Sequence, residues 1–143
     1  MIPILIVSLI VFRLYRFLSK FEPQYNEKVI DFPKHKEKIY VKAKSWGLSG
    51  NHEEILISRK PIRNSTSCIR NEGDCMFFFA DEVYYKKENE DSLILVLPSG
   101  SFSKRSCIQT YVEIVFKRIK GYDSISFYRL NYKEYGFTRV SVY

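Results

Sequence analysis

The sequence predicts a mainly β protein: a small antiparallel β-sheet or sandwich-like domain of about five to seven strands, preceded by an apolar N-terminal helix. Several short segments alternate apolar and polar residues, and the aromatic share is 16%, with 11 Tyr and 11 Phe. The 143 residues suffice for one small core but not for two. The expected organisation is a transmembrane anchor helix over 1–21, a basic tether over 22–36 and a β-rich globular domain over 37–143.

The N-terminal segment MIPILIVSLIVF carries no charged side chain. A membrane-spanning helix needs about 20 apolar residues, and continuing through Leu18 gives about 18. Arg13, Arg16 and Lys20 then fall at the membrane interface, where long basic side chains reach the headgroups. The segment therefore predicts a single-pass anchor held by membrane lipid. An interfacial or a buried helix is the alternative. The basic residues after the span favour a cytoplasmic body, although the side of the membrane stays open.

The net charge of +7 is unevenly distributed along the chain. Between Arg13 and Lys44 there are nine basic and four acidic residues, whereas residues 45–143 hold 14 basic and 12 acidic ones. A basic segment directly after an apolar helix is suited either to anionic lipid headgroups or to a solvated linker. Because the expected globular body is almost neutral, nucleic acid is not the expected partner.

The strands of the globular domain are predicted from alternation. Ile39, Val41 and Ala43 alternate with polar residues in KIYVKAKSW, and EEILISRK continues the pattern. MFFFADEVYY, SLILVLP and the closing FTRVSVY are the next candidates. CIQTYVEIVFKRIKG fits either a helix or a strand, and its β-branched residues favour the strand. FYRLNYKEYG predicts a short helix capped by Gly136, so one or two short helices are expected near the C-terminus.

Residues that could carry chemistry are few. Cys68 and Cys75 flank a short loop and could form a disulfide in an oxidising compartment, although unpaired thiols are the default expectation. The spacing needed for a zinc site is missing, and so are a nucleophile elbow and a phosphate-binding glycine loop. No enzyme activity, metal or cofactor is therefore expected.

The stretch SWGLSGNHEE concentrates rare residue types, including the only tryptophan. Its glycines and asparagine fit a tight turn between two strands. On the alternative interpretation, Trp46, His52 and Glu53 lie on an exposed loop and bind a ligand or partner, since loops on rigid sheets often carry function. His52 with Glu53 alone would be a weak metal-binding set.

KEYGFTRV, near the C-terminus, partly matches a signature of RNA-recognition domains. Lys133, Tyr135, Gly136 and Phe137 fit that signature, but Glu134 occupies a glycine position. The segment is therefore interpreted as a turn followed by a strand.

The combination of the apolar N-terminus, IYVKAKSWGLSGNHEEILIS, ADEVYYKKENEDSLILVL and NYKEYGFTRVSVY resembles small uncharacterised bacterial proteins. In these, one membrane segment precedes a β-rich domain with a WG-x-S-G-N-H-type turn. The resemblance implies an architecture and no mechanism. We expect a non-catalytic protein that binds a protein or an envelope component. The alternatives are an immunity or stress-sensing regulatory membrane protein, and a metal- or ligand-binding domain or enzyme that uses His52 and Glu53. The oligomeric state stays open.

Overall fold

The computed structural model describes residues 2–18, 22–46, 52–62, 75–78, 83–99 and 108–140. Two helices and eight strands lie within these ranges. They are α1 (Ile2–Leu18), β1 (Gln24–Phe32), β2 (Glu37–Trp46), β3 (His52–Ser58), β4 (Cys75–Phe78), β5 (Val83–Lys87), β6 (Ser92–Pro98), β7 (Glu113–Ile119), α2 (Tyr122–Asn131) and β8 (Thr138–Val140). The prediction of a mainly β fold is confirmed.

The first sheet is antiparallel throughout, in the order β1-β2-β3-β4. Its inner face carries the alternating apolar residues that the sequence predicts, and Ile39, Val41 and Ala43 are all at most 1% exposed. A single 3-10 turn at Pro33–His35 joins β1 to β2, and Lys36 follows it in the left-handed region with φ 50°. This tight connection sets the register in which Ile30 faces Ile39.

The predicted tether over 22–36 is wrong, because most of it forms β1. Its backbone pairs with β2 along the whole strand, and Ile30 and Phe32 are buried at 7% and 0% exposure. Pro33 lies just after the strand, in the turn, where its missing N–H removes no bond of the sheet. The folded domain therefore begins near Gln24, and not at residue 37.

The second sheet is mixed, in the order β7-β6-β5-β8. β5 is antiparallel to both β6 and β8, whereas β6 and β7 are parallel. Residues 99–112 connect these two strands, and parallel strands that follow each other in the chain need a connection of about this length. The expectation of an entirely antiparallel domain thus fails at β7. The strand interpretation of CIQTYVEIVFKRIKG is confirmed for Glu113–Ile119.

MFFFADEVYY is not one strand, as predicted, but contributes to two. β4 belongs to the first sheet and β5 to the second, so the chain passes from one sheet to the other between Phe78 and Val83. Two strands that follow each other in the chain therefore belong to the two sheets that enclose the same core. It is a common way of linking the sheets of a sandwich.

The two sheets share one hydrophobic core. The first sheet contributes Ile30, Phe32, Ile39, Val41, Ala43, Ile55 and Ile57, and the second sheet with its preceding segment contributes Val83, Leu93, Leu95, Leu97, Ile108, Val112 and Val140. All of these side chains are at most 8% exposed. Burying them from both sides is the main source of the domain's stability.

Helix α2 covers the outer face of the second sheet. Tyr84, Val96 and Ile119 form a smaller cluster there, against which Ile125, Tyr128, Tyr132 and Phe137 pack. The predicted short helix is thus present, but it begins earlier and ends at Asn131. Gly136, at φ 72°, lies in the turn to β8 and does not cap the helix.

Helix α1 (Ile2–Leu18) confirms the predicted apolar N-terminal helix, and residues 19–21 of the predicted segment lie outside the described residues. Its 17 residues correspond to about 25 Å of helix, compared with about 30 Å for the hydrocarbon layer of a bilayer. In the described part of the chain, no helix combines the length and the apolar character needed to cross a membrane.

Candidate functional site

The predicted ligand loop begins and ends on paired strands. Trp46 at the end of β2 lies opposite His52 at the start of β3, which confirms a hairpin, and the turn over 47–51 lies outside the described residues. Glu53 pairs with Ser45 on the inner face and is 8% exposed. The structure describes the backbone of His52 and not its side chain, so the predicted use of His52 with Glu53 in one site stays a prediction.

Trp46 has a structural explanation on the outer face of the first sheet. The Lys44 ammonium lies 5.4 Å from the centre of the Trp46 ring and 5.9 Å from that of Tyr25. A lysine held between two aromatic rings is a stabilising arrangement. Trp46 therefore does not require a ligand to account for its position.

The other predicted site residues are placed only in part. Arg13 and Arg16 are exposed on α1, with the Arg16 guanidinium 5.6 Å from the centre of the Phe12 ring. Lys20 and Cys68 lie outside the described residues, and Cys75 opens β4. The predicted disulfide thus stays a prediction. Among the residues that the structure describes, no group of three His, Cys, Asp or Glu side chains could hold a metal ion.

A polar cluster at one end of the sandwich joins the turn after β1 to the turn before β6. Asp91 accepts hydrogen bonds from Lys34 at 2.6 Å and lies 2.7 Å from His35 Nε2. The hydrogen bond from Lys34, followed by that from His35, lowers the pKa of the Asp91 carboxyl. The His35 ring also stacks on Tyr111, with 6.5 Å between the ring centres.

Glu37 makes a second link at this end of the molecule. Its buried carboxylate accepts hydrogen bonds from Thr110 Oγ1 at 2.6 Å and from the Tyr111 backbone N–H at 3.1 Å. Arg59 Nε lies 2.6 Å from Oε1, an ion pair by distance, although this oxygen accepts no hydrogen bond among the described residues. Because both polar clusters join separate parts of the fold, we interpret them as structural clamps.

A cleft of about 450 Å³ lies between the edge strands of the two sheets. β1 is the edge of the first sheet and β8 the edge of the second. The cleft, referred to below as the β1–β8 cleft, is lined by Asn26, Lys28, Tyr132, Lys133, Phe137, Thr138 and Arg139. Its size lies within the range of about 300–1,000 Å³ that is usual for small-molecule sites.

The lining of the β1–β8 cleft has one sign of charge. Lys28, Lys133 and Arg139 are all exposed, and no acidic residue belongs to the described lining. Asn26, Tyr132 and Thr138 add an amide and two hydroxyl groups that can donate hydrogen bonds. Such a set of cations and neutral donors is suited to an anion.

Neighbouring contacts hold the aromatic side of this cleft in place. Phe137 packs edge-on against Tyr128 with ring centres 5.8 Å apart, and the Lys86 ammonium lies 5.7 Å from the centre of the Phe137 ring. Lys86 also donates a hydrogen bond to the Tyr135 carbonyl at 3.1 Å. The Lys133 ammonium lies 5.8 Å from the centre of the Tyr132 ring. The turn that carries Lys133 is thereby fixed against both α2 and β5.

Reasoning from sequence did not find this cleft. Lys28 fell in the segment predicted to be a tether, and Arg139 in a closing strand without an assigned role. The one signal in the sequence is KEYGFTRV, whose partial RNA-binding signature contains Lys133 and Phe137. The structure joins these two residues to β1, which is distant in sequence.

Comparison with known proteins gives no match: no protein-family model, no curated protein and no solved structure is similar to this chain. The resemblance to small bacterial proteins with one membrane segment therefore stays a prediction.

Proposed function

We propose that this protein is a binding protein that α1 attaches to a lipid membrane and that recognises an anionic partner through the β1–β8 cleft. The observation that carries this proposal is the exposed apolar surface of α1, next to a domain that buries its own apolar residues efficiently. The partner is a protein or an envelope component, as the sequence suggests. The positively charged lining of the cleft supports the proposal that the group it binds on the partner is an anion.

The apolar surface of α1 supports attachment to lipid. Ten large apolar or aromatic side chains on this helix are between 53% and 68% exposed: Ile6, Val7, Leu9, Ile10, Val11, Phe12, Leu14, Tyr15, Phe17 and Leu18. They occupy all sides of the helix, whereas a helix that packs on a domain has one apolar face. Large exposed apolar surfaces of this kind mark interaction sites, and hydrocarbon covers all sides of a helix at once.

Basic residues within α1 support the same role. Arg13 and Arg16 lie in the last part of the helix and are exposed. Long basic side chains there can reach lipid headgroups while their stems stay in apolar surroundings. Anionic lipid would add about 1 kcal/mol for each basic residue near the surface.

Flotation of the full chain with phosphatidylcholine vesicles tests the attachment. We expect the protein to float with the vesicles and Leu9→Asp to lower its partitioning about a hundredfold, because an aspartate in the hydrocarbon costs about 2.5–3.5 kcal/mol. Leu130→Asp is the matched control, since Leu130 is 79% exposed on α2. Equal partitioning of the two variants would rule out attachment through α1.

A further inference from the structure

We propose that the β1–β8 cleft binds a phosphate monoester, and that its aromatic residues contact the organic group which the phosphate carries. This inference depends on the binding role proposed above and names the chemistry recognised at that site. A phosphorylated headgroup of an envelope lipid and a free phosphorylated metabolite share this chemistry, and the metabolite would replace the envelope component named above as the partner.

The number of cations in the cleft favours a dianion. A phosphate monoester carries a charge of about −1.5 to −2 at pH 7 and three terminal oxygens that accept hydrogen bonds. Lys28, Lys133 and Arg139 offer two ammonium groups and one planar guanidinium, which can bind two oxygens together. One carboxylate or one phosphodiester carries a single negative charge and would match only one of the two ammonium groups of Lys28 and Lys133.

Neutral donors complete the site for oxygen ligands. The Asn26 amide and the Thr138 hydroxyl come from the two facing edge strands, so a group between the strands can receive hydrogen bonds from both sides. Asn26 and Arg139 each make a further interaction within the chain, which restricts their positions. Donors that are held in place lose less conformational freedom when they bind a ligand.

The size and aromatic content of the cleft indicate more than a bare ion. The cleft volume of about 450 Å³ leaves space beside a phosphate group. Tyr132 and Phe137 line that space, and both belong to the aromatic cluster that packs under α2. A ring or short apolar group attached to the phosphate would contact these two side chains.

Titration calorimetry on the full chain in neutral detergent micelles tests the proposal. The probes are phenyl phosphate, methyl phosphate and dimethyl phosphate. We expect phenyl phosphate to bind most tightly, methyl phosphate more weakly, and dimethyl phosphate, a monoanion, at least tenfold more weakly than methyl phosphate. Lys28→Gln and Lys133→Gln should each weaken binding of the two monoesters about tenfold, the usual consequence of losing one charged hydrogen bond.

Lys38→Gln is the matched control, because Lys38 is an exposed lysine of the first sheet that does not line the cleft. It should leave phenyl phosphate binding unchanged. Equal losses in Lys38→Gln and Lys28→Gln would overturn the proposal, since the effect would then reflect overall charge. Tighter binding of dimethyl phosphate, or of a single-stranded oligonucleotide, than of methyl phosphate would also overturn it.

Vesicles distinguish the two sources of the phosphate. Phosphatidic acid is a phosphomonoester lipid and phosphatidylglycerol a phosphodiester lipid, so vesicles of phosphatidylcholine with either one are compared. A loss of phosphatidic acid preference in Lys28→Gln supports a lipid headgroup, whereas an effect on soluble phenyl phosphate alone supports a metabolite. Failure of α1 attachment would appear as a loss of flotation on pure phosphatidylcholine, while failure of the cleft proposal would leave that flotation intact.

Discussion

Replacing Glu37 tests most sharply how the fold is held together at one end. Its carboxylate is buried, with 3% side-chain exposure, and accepts hydrogen bonds from Thr110 Oγ1 and the Tyr111 N–H. Glu37→Ala removes both bonds and leaves the Tyr111 N–H without this acceptor. We therefore expect a clear loss in the free energy of unfolding, measured by urea denaturation of the full chain.

The magnitude follows from the kinds of contact that are lost. A hydrogen bond to a charged group contributes about 1.5–3 kcal/mol, and because both bonds share one acceptor atom, Glu37 Oε2, their contributions do not simply add. Arg59 adds little, at most about 1 kcal/mol, because its side chain is 49% exposed. The expected cost of Glu37→Ala is about 3 kcal/mol, which corresponds to a decrease in Tm of about 12 °C.

A double-mutant cycle with Thr110→Val then isolates one contact. We expect a coupling energy of about 1–2 kcal/mol between Glu37 and Thr110, because they share a hydrogen bond. Strict additivity of the two single changes, or a cost of Glu37→Ala below about 1 kcal/mol, would refute the clamp interpretation. Glu37→Gln serves as the conservative comparison and should cost about half as much as Glu37→Ala.

Two further predictions concern the stability of the sandwich. Lys34 and His35 lower the folded-state pKa of Asp91, so the Asp91 carboxylate stabilises the fold above its unfolded pKa of about 3.9 and loses this effect as the pH falls through the lower folded value. Tm measurements from pH 2 to 7 should therefore show a larger decrease for Asp91→Asn at pH 6 than at pH 2, and an equal decrease at both would contradict this. Leu95 is fully buried between the sheets, so Leu95→Ala should lower the free energy of unfolding, measured in urea, by about 3 kcal/mol. Leu130 is 79% exposed, so Leu130→Ala should change it by less than about 0.5 kcal/mol, and similar costs for the two variants would contradict the shared core.

The fold class could be predicted from sequence because the alternation of apolar and polar residues indicates which face of a strand is buried. Ile39, Val41 and Ala43 show this for β2, and the predicted inner positions are the buried ones. β1 gave no such signal. Only Ile30 and Phe32 of its inner positions are buried, while Asn26 and Lys28 occupy the inner positions that line the cleft. An edge strand is held by its backbone hydrogen bonds to β2, and these leave no hydrophobic pattern.

The parallel pairing of β6 with β7 could not be read from local sequence either. It depends on a long crossover between Ser99 and Val112, so neither strand alone indicates its partner or direction. The candidate site likewise depends on contacts between residues that are distant in sequence. Lys28 and Arg139 are brought together only because β1 and β8 are edges of facing sheets, whereas the predicted site at His52 and Glu53 relied on neighbours in sequence.

A map of backbone amide chemical shifts shows directly whether the β1–β8 cleft is the site that binds phosphate. Methyl phosphate is added to the isotope-labelled full chain in neutral micelles, and the shift changes are followed residue by residue. We expect the changes to concentrate at Asn26, Lys28, Lys133, Thr138 and Arg139, on the two facing edges of the sandwich. Changes centred on Trp46 and His52 instead, or spread evenly over exposed lysines, would contradict it.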